Sequence, residues 1–304
     1  MAPSQPRHPI LPYLALGSGI ICLSFSAFFL RWSDAPGPVT ALYRMIFASL
    51  ILTPLALPRI LKGRVTVERK WLRFPLIGGF FSSLDFAFWS LAVGMTTVAN
   101  ATLLGNASPL WVALFALLIF REKLGRLFWA GLGLILGGAV LMMGSDFMLH
   151  PSVGLGDILA LTSSIFYSGV FLSAQRGREN LDPLTYTWAA VCATATCLLV
   201  IVLLLGYPLT GFPLQTWLIF LASAIFSQIL GFLSTSYALG HLPASIVAPT
   251  MIGQPVLTAI LAIPLLGEIP GGWQLAGGLL VLGGIVLIHQ SHNRQQRRMP
   301  ITEN

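Results

Sequence analysis

Asp85 and Arg44 stand well inside long apolar runs of the sequence. A charge at the centre of a bilayer costs roughly 2.5–3.5 kcal/mol on insertion scales, so such groups face protein or a water-filled cavity. An aspartate in that setting can take up and release a proton, or hold the ammonium group of a ligand. The alternative is a structural carboxylate held by neighbouring hydroxyls such as Ser82 and Ser83. Arg44 has four options: pairing with Asp85, anchoring a ligand carboxylate, snorkelling to the headgroups, or locking two helices together.

Other side chains fit the same chemistry. Tyr43, Phe86, Phe88 and Trp89 cluster around these charges in sequence, and Trp111 and Tyr167 follow in later runs. Such rings line cavities for aromatic or amphipathic ligands, or pack helices and sit at the membrane interfaces. Asn100, Asn106, Gln228 and Gln254 are amides in or near apolar runs, suited to a polar ligand or to a bond between helices worth about 0.6 kcal/mol. Pro109 and Pro255 each remove a backbone donor, which makes them hinges or fixed kinks. The candidate binding and coupling set is therefore Asp85, Arg44, Trp89, Tyr43, Asn106, Tyr167, Gln228 and Gln254, with Pro109 and Pro255 as hinges.

Catalytic patterns are not expected. Gly154-Leu-Gly-Asp157 matches the GxGD pattern of intramembrane aspartyl proteases. That chemistry needs a second carboxylate at the same depth, and Asp157 falls at the start of an apolar run where Asp85 is deep in one. Asp157 reads as a charge placed favourably at a helix N-terminus. The sequence has no HExxH, GxSxG or phosphate loop. Cys22, Cys192 and Cys197 lie in apolar runs without metal spacing and read as small buried side chains. No metal, cofactor or enzymatic activity is expected.

The elements that must position these residues follow from composition. Of 304 residues, 56% are hydrophobic and only 9% are charged, with a mean hydropathy of +0.82. Soluble domains carry about 25% charged residues, so lipid must solvate most of this chain. A helix crossing a ~30 Å core needs roughly 20 apolar residues. Ten such spans are predicted at 10–30, 37–57, 71–94, 97–120, 126–145, 154–175, 184–206, 214–239, 243–266 and 272–289. The run at 10–30 is expected as the first span, being too long for the apolar part of a signal peptide. With ten spans, 15 of the 17 Lys and Arg residues fall on the side that carries both termini, and Arg31 falls on the other. The positive-inside rule makes that side cytoplasmic in an inner or plasma membrane. The net charge of +7 is thereby explained by topology and needs no nucleic-acid partner.

The spans repeat. Ser90-Leu-Ala-Val-Gly94 matches Ser236-Tyr-Ala-Leu-Gly240 at an offset of 146, which also carries Pro109 onto Pro255, Glu122 onto Glu268, Gly131 onto Gly277, and Gly137-Gly138 onto Gly283-Gly284. Pro38 and Thr40 match Pro183 and Thr185 at an offset of 145. Each copy holds five spans, an odd number, so the second copy enters the membrane from the opposite face. Inverted repeats suit alternating access, because exchanging the conformations of the two halves reverses the side that is open. Gly133 and Gly137 also form a GxxxG pair suited to helix packing within or between protomers.

Asn106-Ala-Ser-Pro109, then Arg121-Glu-Lys-Leu124, Gly131 and Gly137-Gly138, resemble the EamA-type transporters of the drug/metabolite transporter superfamily. Gly253-Gln-Pro255, Gly267-Glu268, Gly277-Gly278 and Gly283-Gly284 repeat the pattern, so the resemblance covers about 11–144 and 154–289. It implies an all-α membrane protein of ten transmembrane helices in two inverted five-helix repeats, 10–145 and 154–289. Four helices of each half would surround a central cavity and the fifth would support them. The resemblance implies a transporter, in a family that holds amino-acid, drug and metabolite exporters and some importers, and leaves the cargo open. Together with the residues it leads to the expectation of secondary active transport of a small organic solute, amino-acid-like or drug-like, in the direction of export, with Asp85 as the candidate for proton coupling. The alternatives are a flippase of lipids or lipid-linked substrates and, behind it, a non-transporting or catalytic membrane protein. Expected partners are the small-molecule substrate and membrane lipids, with a homodimer left open.

Overall fold

The computed structural model of the protein describes residues 10–63, 65, 67–93, 95–96, 98–143, 154–267 and 269–298. Arg7, Arg64, Gly94, Glu268 and residues 144–145 lie outside the described residues, as does the side chain of Asn100. Every described element is helical.

Ten segments cross the bundle. They are α1 in two halves, α1a (Leu11–Ser24) and α1b (Ser26–Trp32), then α2 (Gly37–Leu61) and α3 (Arg69–Val93). Next come α4a (Val98–Gly105) and α4b (Ser108–Ile119), α5 (Arg126–Met143), α6 (Leu155–Arg178) and α7 (Pro183–Leu204). The last are α8 (Leu214–Leu239), α9a (Ala244–Met251), α9b (Gly253–Leu266) and α10 (Gly272–Arg298). Among the described residues, eight of these segments are long and apolar enough to cross a membrane, and α4b and α5 are shorter apolar helices.

Local chemistry sets the ends. The Asp182 carboxylate accepts from the backbone N–H of Leu184 at 3.2 Å and of Thr185 at 3.4 Å, with Pro183 opening α7. Gly267 ends α9b at φ +70°, a conformation that L side chains rarely adopt. Asp157 sits at the third position of α6 and accepts from the Gly154 N–H at 2.9 Å and the Thr96 hydroxyl at 2.7 Å. That is the N-terminal role expected for it.

The packing obeys the two-fold relation of the repeats. Helix α3 packs on α6 and, equivalently, α8 packs on α1; α3 packs on α7 as α8 does on α2; α4 packs on α6 as α9 does on α1. The pairs α2–α7, α4–α9 and α5–α10 map onto themselves. The seam of α5 and α10 shows this at atomic level. A Cβ added to Gly131 would lie 2.8 Å from the Gly284 carbonyl oxygen, and one added to Gly138 would lie 2.6 Å from that of Gly277. At an offset of 146 these two contacts exchange with each other. Pairing 131 with 284 and 138 with 277 also makes the helices antiparallel, as copies of opposite topology must be.

The close approach therefore uses glycines seven residues apart. The sequence-predicted GxxxG pair is elsewhere: a Cβ added to Gly133 or Gly137 would meet no other helix within 4 Å. Gly138→Val is expected to destabilise the protein by about 1–3 kcal/mol through overpacking. Gly133→Val should change stability by less than about 0.5 kcal/mol. Thermal melting in detergent distinguishes the two.

Candidate functional site

Three spans are discontinuous, and the breaks converge on the interior. Helix α4 breaks at Asn106-Ala107 and α9 at Ile252, positions 146 apart. Pro109 and Pro255 stand in the first turn of the second half-helix in each case, where a missing backbone donor costs little. The sequence predicts kinks at these prolines; the structure has full breaks just before them. Helix α1 breaks at Phe25. Its freed carbonyls are taken up by α9b: Gln254 Nε2 donates to the Leu23 oxygen at 3.1 Å, and Thr258 Oγ1 to the Ser24 oxygen at 3.1 Å. Inside a membrane such groups must find protein partners.

Asp85, on α3, is half-buried, and Ser163 Oγ of α6 donates to its Oδ1 at 2.6 Å. The neighbouring Ser83 donates instead to the Phe80 carbonyl. The hydroxyl that holds Asp85 thus comes from the facing helix and not from its own. Arg44, on α2, is 9% exposed. Its Nη1 donates to Ser26 Oγ of α1b at 2.9 Å, and its guanidinium carbon lies 5.1 Å from the centre of the Phe86 ring. Arg44 Nε is buried without a hydrogen-bond partner. Arg44, Asp85 and Tyr167 lie within electrostatic range of one another. No direct ion pair joins Arg44 to Asp85. Each charge therefore keeps unused hydrogen-bonding capacity.

Toward the basic end of the bundle, on the same face of α3, Gly78 and Ser82 open onto a central cavity of about 50 Å³. The cavity is walled by α1, α3, α6, α7, α8 and α9, and contains Tyr167 and Gln228. Among the described residues, α2, α4, α5 and α10 contribute nothing to it, so the lining comes from six helices and not from four of each half. Six buried side-chain polar atoms among the described residues have no hydrogen-bond partner, and four of them belong to this lining: Tyr186 Oη, Thr187 Oγ1, Gln228 Oε1 and Ser236 Oγ. Each such atom costs about 1–3 kcal/mol in the fold. Ligand pockets usually measure about 300–1,000 Å³, and this cavity is smaller.

The remaining candidates have other surroundings. Trp89 packs at the α4 break, where a Cβ added to Gly105 would sit 3.4 Å from its ring. Asn106 is half-buried in the break itself. Tyr43 points away from Asp85: its hydroxyl donates to the Leu209 carbonyl at 2.5 Å and its ring stacks on Phe220 at 5.1 Å. Trp111 Nε1 donates to Ser164 Oγ at 2.9 Å and ties α4b to α6. Gln254 serves the α1 break and lies outside the cavity lining.

At the basic end of the bundle several helix ends are tied together by hydrogen bonds. Arg178, ending α6, donates through Nε to the Ser236 carbonyl at 2.8 Å and through Nη1 to the Leu181 carbonyl. One turn earlier, Gln175 Oε1 accepts from the Ala244 N–H at 2.7 Å. The end of α6 thus holds the last turn of α8 and the first of α9 together. Ser245 also donates to Glu122 at 2.5 Å, joining α9a to the end of α4b.

Sequence reasoning missed Ser163, Tyr186, Thr187 and Ser236. The available signal was hydroxyls recurring on one face of otherwise apolar helices, as at Ser163, Ser164 and Ser168 of α6, all buried.

Comparison with known proteins agrees with this architecture. The profile of the EamA-like transporter family matches residues 11–144 and 154–290. An uncharacterised transporter of Archaeoglobus fulgidus is 26% identical over 255 residues, covering 81% of this chain and 86% of that protein. A pseudopaline exporter of Pseudomonas aeruginosa is 24% identical over 261 residues, covering 85% and 89%. A solved crystal structure superposes with a TM-score of 0.76 at 18% identity over 94% of this chain and 98% of its own, which shows a shared fold. With two family matches spanning both five-helix halves of a ten-helix bundle, the chain belongs to the EamA-like transporter family and is a multi-pass membrane transporter.

Proposed function

We propose that the protein is a secondary active exporter of small amino-carboxylate metabolites, moving them by alternating access between repeats 10–145 and 154–289. One observation carries the substrate class: Asp85 and Arg44 are held in the same interior without neutralising each other. A carboxylate and a guanidinium kept apart complement an ammonium and a carboxylate on one small molecule. The unpaired hydroxyls and amide of the adjoining cavity would take its remaining polar groups.

Alternating access is supported by the two-fold packing and by the matched breaks at 106–107 and 252, since discontinuous helices at a repeat interface give movable half-helices. The Arg178–Gln175 clamp is the gate at the basic end, which lies in the cytoplasm by the charge rule. A similar exporter in Pseudomonas aeruginosa supports the direction. Asp85 would carry the coupling proton. A larger cleft of about 720 Å³ runs along the basic ends of α1, α2, α7 and α8 at the bundle surface, and Asp85 and Arg44 line neither it nor the central cavity.

The test is metabolite profiling by mass spectrometry of cells with and without the protein. An amino-carboxylate compound should fall inside and rise outside only when the protein is present. If lipids or non-zwitterionic drugs shift and amino-carboxylates do not, the substrate assignment is wrong.

A further inference from the structure

The cleft at the bundle surface takes its walls from both repeats. Leu14 and Ser18 of α1a and Arg59 of α2 belong to the first copy, and Asp182, Leu184 and Tyr237 to the second. Leu14 is 63% exposed, so the cleft opens toward the lipid that surrounds the bundle. Its charges collect at one level. Arg59 stands in the last turn of α2 and Asp182 caps α7, both where helices end at the membrane surface. Ser18 is seven residues into α1a from Leu11, about 10 Å deeper. A charged mouth above apolar walls has the profile of a lipid.

The two charges at the mouth are unequally engaged. The Asp182 carboxylate accepts from the Leu184 and Thr185 N–H groups and, at 2.5 Å, from the Thr185 hydroxyl. It is committed to the start of α7. Arg59 reaches it only through Nη1 at 3.4 Å, beyond the usual range of a hydrogen bond. A guanidinium has five donors in a planar fork that matches a phosphate. The two-fold relation does not account for these groups. Their counterparts at the opposite end are Leu204 for Arg59 and Gly37 for Asp182, at an offset of 145, and Leu91 for Tyr237, at 146. The polar mouth is peculiar to the basic end, which also carries Lys62, Arg69, Lys70 and Arg73. Basic pockets between helices at such a face bind anionic headgroups.

We propose that this cleft binds one anionic phospholipid, its phosphate on Arg59 and an acyl chain along Leu14 and Ser18 of α1a. The lipid touches both repeats, so it binds this arrangement of the two halves and stabilises it. The inference stands apart from the choice of transported solute.

The test titrates the purified full chain, in an uncharged detergent, with dioleoyl phosphatidylglycerol, dioleoyl phosphatidylcholine or inorganic phosphate. Native mass spectrometry and thermal melting follow the binding. Phosphatidylglycerol should bind about tenfold or more tighter than phosphatidylcholine, and should raise the melting temperature with concentration. Inorganic phosphate should do neither at the same concentrations. Arg59→Gln should cut the preference between the lipids about tenfold, whereas Lys62→Gln, outside the cleft, should leave it unchanged. Ser18→Trp, which fills the place of the chain, should weaken the binding of both lipids. Equal affinity for the two lipids overturns the proposal, as do equal effects of Arg59→Gln and Lys62→Gln, unchanged binding by Ser18→Trp, or a shift with phosphate as large as with the lipid. If Ser18→Trp does not fold, the comparison of Arg59→Gln with Lys62→Gln decides alone.

Discussion

Asp85→Asn is expected to lower export at least tenfold to a hundredfold while the amount of protein in the membrane stays constant. Asparagine is isosteric with aspartate, and its oxygen can still accept from Ser163 Oγ, which now donates at 2.6 Å. The contact between α3 and α6 therefore survives, and only the charge is removed. A hydrogen bond to a charged group contributes about 1.5–3 kcal/mol, which corresponds to roughly one to two factors of ten in affinity for an ammonium. Where the same carboxylate moves the coupling proton, the loss becomes complete. Ser163→Ala should have a smaller effect, about tenfold or less, because the charge remains while its orientation is lost. Export by Asp85→Asn at the wild-type rate would make Asp85 a structural carboxylate. The measurement is initial efflux rate normalised to immunoblotted protein.

The second large effect concerns the gate. Arg178 donates to carbonyls of Ser236 and Leu181, and Gln175 accepts from the Ala244 N–H, so the end of α6 fixes both sides of the α8–α9 turn. Arg178→Gln shortens the side chain and removes the charge that satisfies the Ser236 carbonyl in the last turn of α8 and the Leu181 carbonyl in the α6–α7 connection. Losing those bonds favours the open basic end by about 1.5–3 kcal/mol, a shift of roughly tenfold to a hundredfold in population. A cysteine placed at Thr187, in a background with Cys22, Cys192 and Cys197 replaced, reports it. Labelling of inside-out vesicles by an impermeant maleimide should accelerate by that factor in Arg178→Gln. Equal rates would show that the clamp does not limit access from that side.

The repeat was legible because it rests on covalent spacing: a constant offset of 146 carries proline onto proline and glycine onto glycine whatever the packing. The spans were legible because twenty apolar residues in a row have few other uses. The breaks were less so: those in α4 and α9 fall just before Pro109 and Pro255, which the sequence marks as hinges or kinks, and the one in α1 has no such marker. Phe25, Asn106 and Ile252 carry no strong helix-breaking signal of their own. The interruption at Phe25 depends on Gln254 and Thr258 arriving from α9b, more than 200 residues away in sequence, to satisfy the freed carbonyls.

The site was half legible for the same reason. Asp85 and Arg44 stood out by the cost of charge in lipid, and Gln228 by being an amide in an apolar run. Which hydroxyl holds Asp85 depends on how α3 meets α6, so Ser163 was invisible beside the sequence neighbours Ser82 and Ser83. Tyr43 shows the converse. It is adjacent to Arg44 in sequence, but successive residues on a helix point about 100° apart, and its ring stacks with Phe220.

The most direct test of the central claim is efflux from vesicles containing only the purified protein. The vesicles would be loaded with the twenty ¹³C-labelled amino acids, supplied with a pH gradient and given no ATP. Saturable efflux of some of them, driven by the gradient and absent with Asp85→Asn, is the predicted result. Contradiction would come from no efflux of any amino acid, or from equal efflux by the wild type and Asp85→Asn.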